Sequence, residues 1–185
     1  KSVPSGRKPI RTHTVSLENR TRLIEEIKKA VNQENQVYWV CPLIENNDGL
    51  DAIATHELMD ELTTKLRHCT LAELNGKMSS HEKNQVMLDF KQGNIDVLIC
   101  TTIIEVGVDV PNASNIVIEN SERFGLAQLH QLRGRVGRGT KPSRCFLTFK
   151  PGLNDIARRR LNAMRESQDG FKLAEQDLEL RGPGE

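Results

Sequence analysis

No apolar run in this 185-residue chain approaches membrane-spanning length, and the opening stretch Lys1-Ser-Val-Pro-Ser-Gly-Arg-Lys-Pro9 lacks the apolar centre of a secretory signal. These residues read as a cytoplasmic protein or a cut piece of one. Cysteine is scarce: Cys41, Cys69, Cys100 and Cys145 lie too far apart for paired zinc-ligand spacing, and three of them sit in or beside apolar runs. Buried free thiols in a reducing compartment are expected, and no metal site. Excess charge is absent too. With a formal net charge of +1, any nucleic-acid surface must be a local patch. Aromatic residues make up only 4% of the chain, and Tyr38 and Trp39 fall inside an apolar strand, so a stacking platform for bases is not on offer. Also missing is a G-x-x-x-x-G-K-[ST] phosphate loop: the only Gly-Lys pair, Gly76-Lys77, continues with Met78. No acidic Mg²⁺ motif ends a strand, and Asp60-Glu61 sits in a helical pattern that reads as a solvated face. A nucleotide hydrolase complete within these residues is thereby discounted.

What is present is an alternation of short apolar runs with amphipathic ones, the pattern of an α/β domain. Leu23, Ile24, Ile27 and Val31 recur at helical spacing, and the strand Val37–Cys41 follows. Leu58, Leu62 and Leu66 mark a second helix and Leu71–Leu74 a short strand. Ser79 with Glu82 fits a capping box, so a third helix begins there, buries Val86, Met87 and Phe90, and stops near Gly93. Strands over Ile95–Cys100, Asn115–Glu119 and Arg144–Phe149 complete a mostly parallel sheet buried on both faces. The Pro- and Gly-rich start reads as a linker over residues 1–15, the sheet domain covers 16–150, and 151–185 reads as two helices outside the sheet, broken near Asp169-Gly170.

Between the last two strands lies "QLHQLRGRVGRG", Gln128–Gly139. On a helix, Leu129, Leu132 and Val136 share one side, while Gln131, Arg135 and Arg138 form a row opposite at i, i+4 and i+7. Arg133 falls on the apolar side. Glycines inside a helix cost about 1 kcal/mol each, so Gly134 and Gly137 imply a short helix or a close approach to its backbone. The row is either a solvated basic face or a phosphate site, and forked guanidinium groups beside Gln131 suit the second. A further stretch, "CTTIIEVGVDVP", follows an apolar strand. Its Thr101 and Thr102 fall at a strand's carboxyl end, where open parallel sheets bind ligands, or they simply cap the next turn. Gly107 permits a tight backbone path. Asp109 offers an acceptor suited to ribose hydroxyls, or serves as a turn residue before Val-Pro.

"TTIIEVGVDVP" and "QLRGRVGRG" resemble motifs V and VI of superfamily 2 helicases. The run "IEVGVDVPNASNIVIENSERFGLAQLHQLRGRVGRG" narrows the resemblance to the RecG-like helicases, with similarity reaching from Pro4 through "YWVCPLIE" to "DLELRGPGE". The resemblance implies a RecA-like three-layer lobe followed by a short helical hairpin, the truncated translocation segment. It implies ATP with Mg²⁺ as cofactor, bound mainly on a first motor lobe outside this chain, and branched DNA (forks and Holliday junctions) as substrate. A wedge domain would also lie elsewhere in the protein, which is expected to be monomeric. Residue by residue, it assigns Arg135 and Arg138 to the γ-phosphate as arginine fingers. Gln131, Gly107 and Asp109 fall to the nucleotide, and Thr101, Thr102, Asn75, Gly76 and Lys77 to the DNA backbone. A passive nucleic-acid-binding module is the competing reading of these residues alone, and the scarcity of exposed aromatics stands against it.

Overall fold

A computed structural model describes residues 9–42, 48–101 and 109–166. Its centre is a six-stranded sheet in the order β1-β6-β5-β2-β4-β3, with every pairing parallel. In chain order the elements are β1 (Ile10–Ser16), α1 (Arg20–Asn32), β2 (Gln36–Cys41), α2 (Asp48–Lys65), β3 (Leu71–Leu74) and α3 (Ser80–Lys91). They continue with β4 (Val97–Thr101), β5 (Ala113–Ile118), α4 (Leu126–Arg133), β6 (Ser143–Phe149) and α5 (Asp155–Glu166).

Alternate side chains of each strand face opposite ways, which divides the core in two. Val37 and Trp39 of β2 join Leu23, Ile24 and Ile27 of α1 and Leu58 and Leu62 of α2 on one side of the sheet. Tyr38 and Val40 join Met87 and Phe90 of α3, Leu126, Leu129 and Leu132 of α4, and Leu161 and Met164 of α5 on the other. Two helical layers thus sandwich the sheet, and β2, β4 and β5 are buried along their whole length, in keeping with their apolar character. The third helix begins as its capping box dictates: Glu82 N donates to Ser79 Oγ at 3.1 Å, and Ser79 N donates back to Glu82 Oε1 at 2.8 Å. Met87 and Phe90 are buried, Val86 partly, and Gly93 takes the left-handed conformation just beyond the helix.

Three expectations change. Residues 10–15, read as the end of a linker, form with Ser16 the edge strand β1 in register with β6, from Ile10 opposite Ser143 to Ser16 opposite Phe149. The polar run Arg11-Thr-His-Thr14 hides a strand because an edge strand buries little of its surface; Thr12 is its one buried residue. Second, Glu61 is not on a merely solvated face. Its carboxylate takes two hydrogen bonds from Arg20, at 2.7 and 2.9 Å, and Arg20 also pairs with the buried Glu119. Glu119 in turn accepts from Trp39 Nε1 at 3.1 Å and Thr148 Oγ1 at 2.8 Å, so this network ties α1, α2, β2, β5 and β6 together. Third, α5 packs against β1 and α4 and contributes Leu161 and Met164 to the core. The Asp169-Gly170 turn and the helix expected beyond it lie outside the described residues.

Candidate nucleotide and nucleic-acid sites

Because all strands run one way, the sheet has a carboxyl edge and an amino edge, and the assigned residues divide between them. Thr101 ends β4, fully buried, opposite Cys41 in register. Leu74 pairs with Cys100, which brings Asn75, the next residue, beside Thr101 at the carboxyl edge. Asn75 is 7% exposed and organises the turn that follows it. Its Nδ2 donates to Thr55 Oγ1 at 3.1 Å, its Oδ1 accepts from Lys77 N at 3.1 Å, and its carbonyl accepts from Met78 N at 3.2 Å. Thr55 is fixed by donating to Glu73 Oε1 at 3.0 Å. Gly76 and Lys77 are thereby held out at the edge, with Lys77 exposed. Thr55 and Glu73 gave no sequence signal of this role, since neither lies in a motif and α2 and β3 meet only in the fold.

Arg135, Arg138 and Asp109 gather elsewhere, at the amino edge on the α4 side. Helix α4 runs back from the carboxyl edge and stops at Arg133, with Gly134 as its cap. The two arginines therefore follow the helix rather than form a row on it, correcting the helical projection. Gln131 is exposed in the last helical turn. Tight turns then continue through Arg135 N to Leu132 O (3.0 Å) and Val136 N to Arg133 O (3.2 Å), and Val136 is fully buried. Gly137 takes a φ of 81°, which any side chain would strain. At Gly139 a Cβ would come within 2.6 Å of the Pro111 carbonyl oxygen. The close approach that the glycines imply is thus made by the chain itself, where the loop after α4 presses on the segment before β5.

That contact places Arg138 against Asp109. Arg138 Nη1 lies 3.3 Å from Asp109 Oδ1, and Arg138 Nε donates to Gly134 O at 3.0 Å; both side chains are about half exposed. Lys141 extends the junction by donating to Glu34 O (3.0 Å) and Asn112 Oδ1 (2.7 Å). Below the cluster lies Tyr38, whose phenol is held well above its ordinary range by burial, with Cys100 and Asp109 adding to the effect and Arg135 and Arg138 opposing it. Thr102 and Gly107 lie outside the described residues. Arg133 is only 2% exposed, as its place on the apolar side predicts.

The donor set fits a nucleotide presented from outside the domain: an exposed fork, a second half-buried arginine, an exposed amide and an exposed carboxylate, all on short segments at one edge. Among the described residues no group of three His, Cys, Asp or Glu is placed to hold an ion.

Comparison with known proteins identifies the family. Residues 18–140 match the helicase conserved C-terminal domain. ATP-dependent DNA helicase RecG of Haemophilus influenzae is 50% identical over 99% of this chain and 27% of its own length. RecG of Escherichia coli K12 is 48% identical over the same shares. A structure of RecG bound to a three-way DNA junction superposes with a TM-score of 0.83 at 42% identity, covering all of this chain and 24% of that one. The fold recurs in domain 2 of the DEAD-box helicase Mss116p, at a TM-score of 0.67 and 18% identity, over 93% of this chain and 69% of that one. The chain spans about a quarter of the length of the RecG relatives it matches. With six parallel strands between two helical layers, the motif residues gathered at two edges and a family match over most of the sheet domain, the chain belongs to the helicase conserved C-terminal domain family.

Proposed function

We propose that this chain is the second motor lobe of an ATP-dependent helicase and translocase acting on branched DNA in repair and recombination. The observation that carries the reading is the exposed Arg138 beside Asp109, on a loop whose two flanks are fixed by the buried Val136 and the Gly139–Pro111 contact. When ATP is bound on a first lobe, with Mg²⁺ held by that lobe's own residues, its triphosphate supplies the bond to be broken. This chain's part is to bring positive charge to the phosphoryl group as it transfers, through Arg138 and Arg135, in the manner of arginine fingers. Gln131 and Asp109 orient the nucleotide at the lobe boundary. Lys77, exposed and held out by the Asn75 turn, reaches toward the DNA backbone, whereas Thr101 is fully buried and shapes the strand end beside it instead of contacting DNA with its hydroxyl. The free thiols suit a reducing, cytoplasmic setting. In a full-length protein carrying this chain, Arg138→Ala should lower ATP turnover by roughly 10³-fold or more while leaving fork affinity nearly intact. Near-normal turnover in that variant would remove the finger from the mechanism.

A further inference from the structure

Asp109 and Arg138 are both assigned to the nucleotide, yet here they bind each other. The guanidinium is doubly engaged: Nη1 faces Asp109 Oδ1 at 3.3 Å, and Nε donates to the Gly134 carbonyl, one of the acceptors left open at the carboxyl end of α4. Such an end carries partial negative charge and favours a cation. The finger is thus folded back on its own helix and secured by the acceptor that would otherwise receive a ribose hydroxyl. With Gly139 against Pro111, Arg138 and Asp109 sit on segments in direct contact, so the pairing is built into the junction rather than reached by a long excursion.

We infer that Asp109 is a positioning residue for Arg138 as well as a ribose acceptor, and that it exchanges one role for the other, so that engagement of the sugar releases the finger. This rests on the reading of Arg138 as a finger. A ribose hydroxyl donating to Asp109 competes with Nη1 for the same oxygen, and the freed guanidinium then needs only to give up the Gly134 carbonyl to reach a phosphate. Nucleotide recognition and catalysis are joined at one carboxylate. A triphosphate whose sugar cannot donate binds without displacing Arg138 and is hydrolysed by a smaller population of free fingers. Both side chains are about half exposed, so the pairing is weak and its effect is at most about fivefold.

The test uses the unmodified full-length protein, saturated with branched DNA, and compares the maximal steady-state rate and KM for hydrolysis of ATP and 2′,3′-dideoxy-ATP. The expected result is a maximal rate about two- to fivefold lower for the dideoxy nucleotide, beyond any difference in KM. In Asp109→Ala, where no acceptor holds the finger, the two maximal rates should coincide while KM for ATP rises. Equal maximal rates in the unmodified protein, with a difference confined to KM, would leave Asp109 as a ribose contact only and overturn the inference. Persistence of the rate difference in Asp109→Ala would overturn it as well. Arg138→Ala separates the premises: a large loss of ATP hydrolysis there, with equal maximal rates in the unmodified protein, keeps the finger and discards the exchange. Near-normal hydrolysis in Arg138→Ala removes the finger and the exchange together.

Discussion

Replacing Arg133 tests how the end of α4 is held. Its side chain is buried between α4, β1 and α5, where Nη1 donates to the Met164 carbonyl at 2.7 Å and to Thr12 Oγ1 at 3.1 Å. Nη2 is buried without a hydrogen-bond partner, and no carboxylate lies within ion-pair distance of Arg133 among the described residues. Burial lowers the guanidinium's pKa, and the same environment pushes the Cys145 thiol up to about 12, again through burial first. In Arg133→Ala, two hydrogen bonds from a charged donor are lost, worth about 1.5–3 kcal/mol each. Removal of two buried methylenes adds about 1.6 kcal/mol. Against this stands relief from burying a charge that is only partly satisfied, about 1–3 kcal/mol. The net expectation, from these terms, is a destabilisation of about 3–5 kcal/mol. Urea unfolding of the chain should show its midpoint falling by about 1–3 M at an unchanged slope. Arg133→Met keeps most of the packing and removes the charge, so it should cost clearly less than alanine. A midpoint for Arg133→Ala within about 0.3 M of the unmodified chain, or a methionine variant worse than the alanine one, would refute this account of the residue.

Other positions carry shorter predictions. Gly139→Ala drives a Cβ onto the Pro111 carbonyl oxygen, a backbone atom that cannot swing aside, and should destabilise the loop by about 1–3 kcal/mol; thermal unfolding of the chain and ATP turnover of the full-length protein should both register it. The hydrogen bonds from Arg20, and to a smaller degree its charge and that of Lys65, hold the Glu61 pKa below the ordinary glutamate value of 4.5, burial opposing them. Its contribution is therefore present above about pH 4.5 and lost as pH falls through the lower folded-state pKa, so Glu61→Gln should flatten the acid limb of a stability-versus-pH curve and leave the limb above pH 6 unchanged in shape. In the full-length protein Leu161→Asp places an unpaired carboxylate at a site 2% exposed, which should loosen α5; DNA-stimulated ATP hydrolysis should largely survive while fork unwinding falls sharply, and equal loss of both with the sheet domain still folded would count against a coupling role.

How much of this was legible in the sequence depended on whether the governing interactions were local. The capping box at Ser79 and Glu82 is a four-residue device, and it appears in the fold as read. The strands β2, β4, β5 and β6 are buried over most of their length, which leaves short apolar runs such as Val37–Cys41, Val97–Cys100, Ile116–Ile118 and Cys145–Leu147 whatever their neighbours are. Strand β1 failed the same reading because its partners are remote: β6 is more than a hundred residues away, and only Thr12 is buried enough to carry a pattern. Glu61 was read as solvated for a related reason, since its partner Arg20 lies forty-one positions earlier on another helix. At the site, the motif residues were legible as types and their conformations were not. Apolar spacing carried the helix through Val136, whereas Gly134 as a cap and Gly137 at positive φ end it at Arg133.

That early ending changes what the two arginines can do. On a continuous helix, Arg135 and Arg138 would project from a rigid rod three residues apart, in a spacing set by the helix alone. In the fold the rod ends first, and the anchors that follow are buried ones: Arg133 bonded to α5 and β1, and Val136 in the core below. The fixed parts of the segment therefore alternate with the exposed ones. Gly137 turns the chain between them, and Gly139 returns it against Pro111. On the proposed reading, a finger carried on such a loop can change partners without disturbing the sheet, because neither Arg138 nor Asp109 belongs to the core. The same anchors connect the loop to α5 through Met164, so a shift that did reach Arg133 would be felt by α5. On the proposed reading, catalytic reach belongs to Arg138 and the bond to α5 to Arg133, five residues earlier, and the glycines between them keep the two separable.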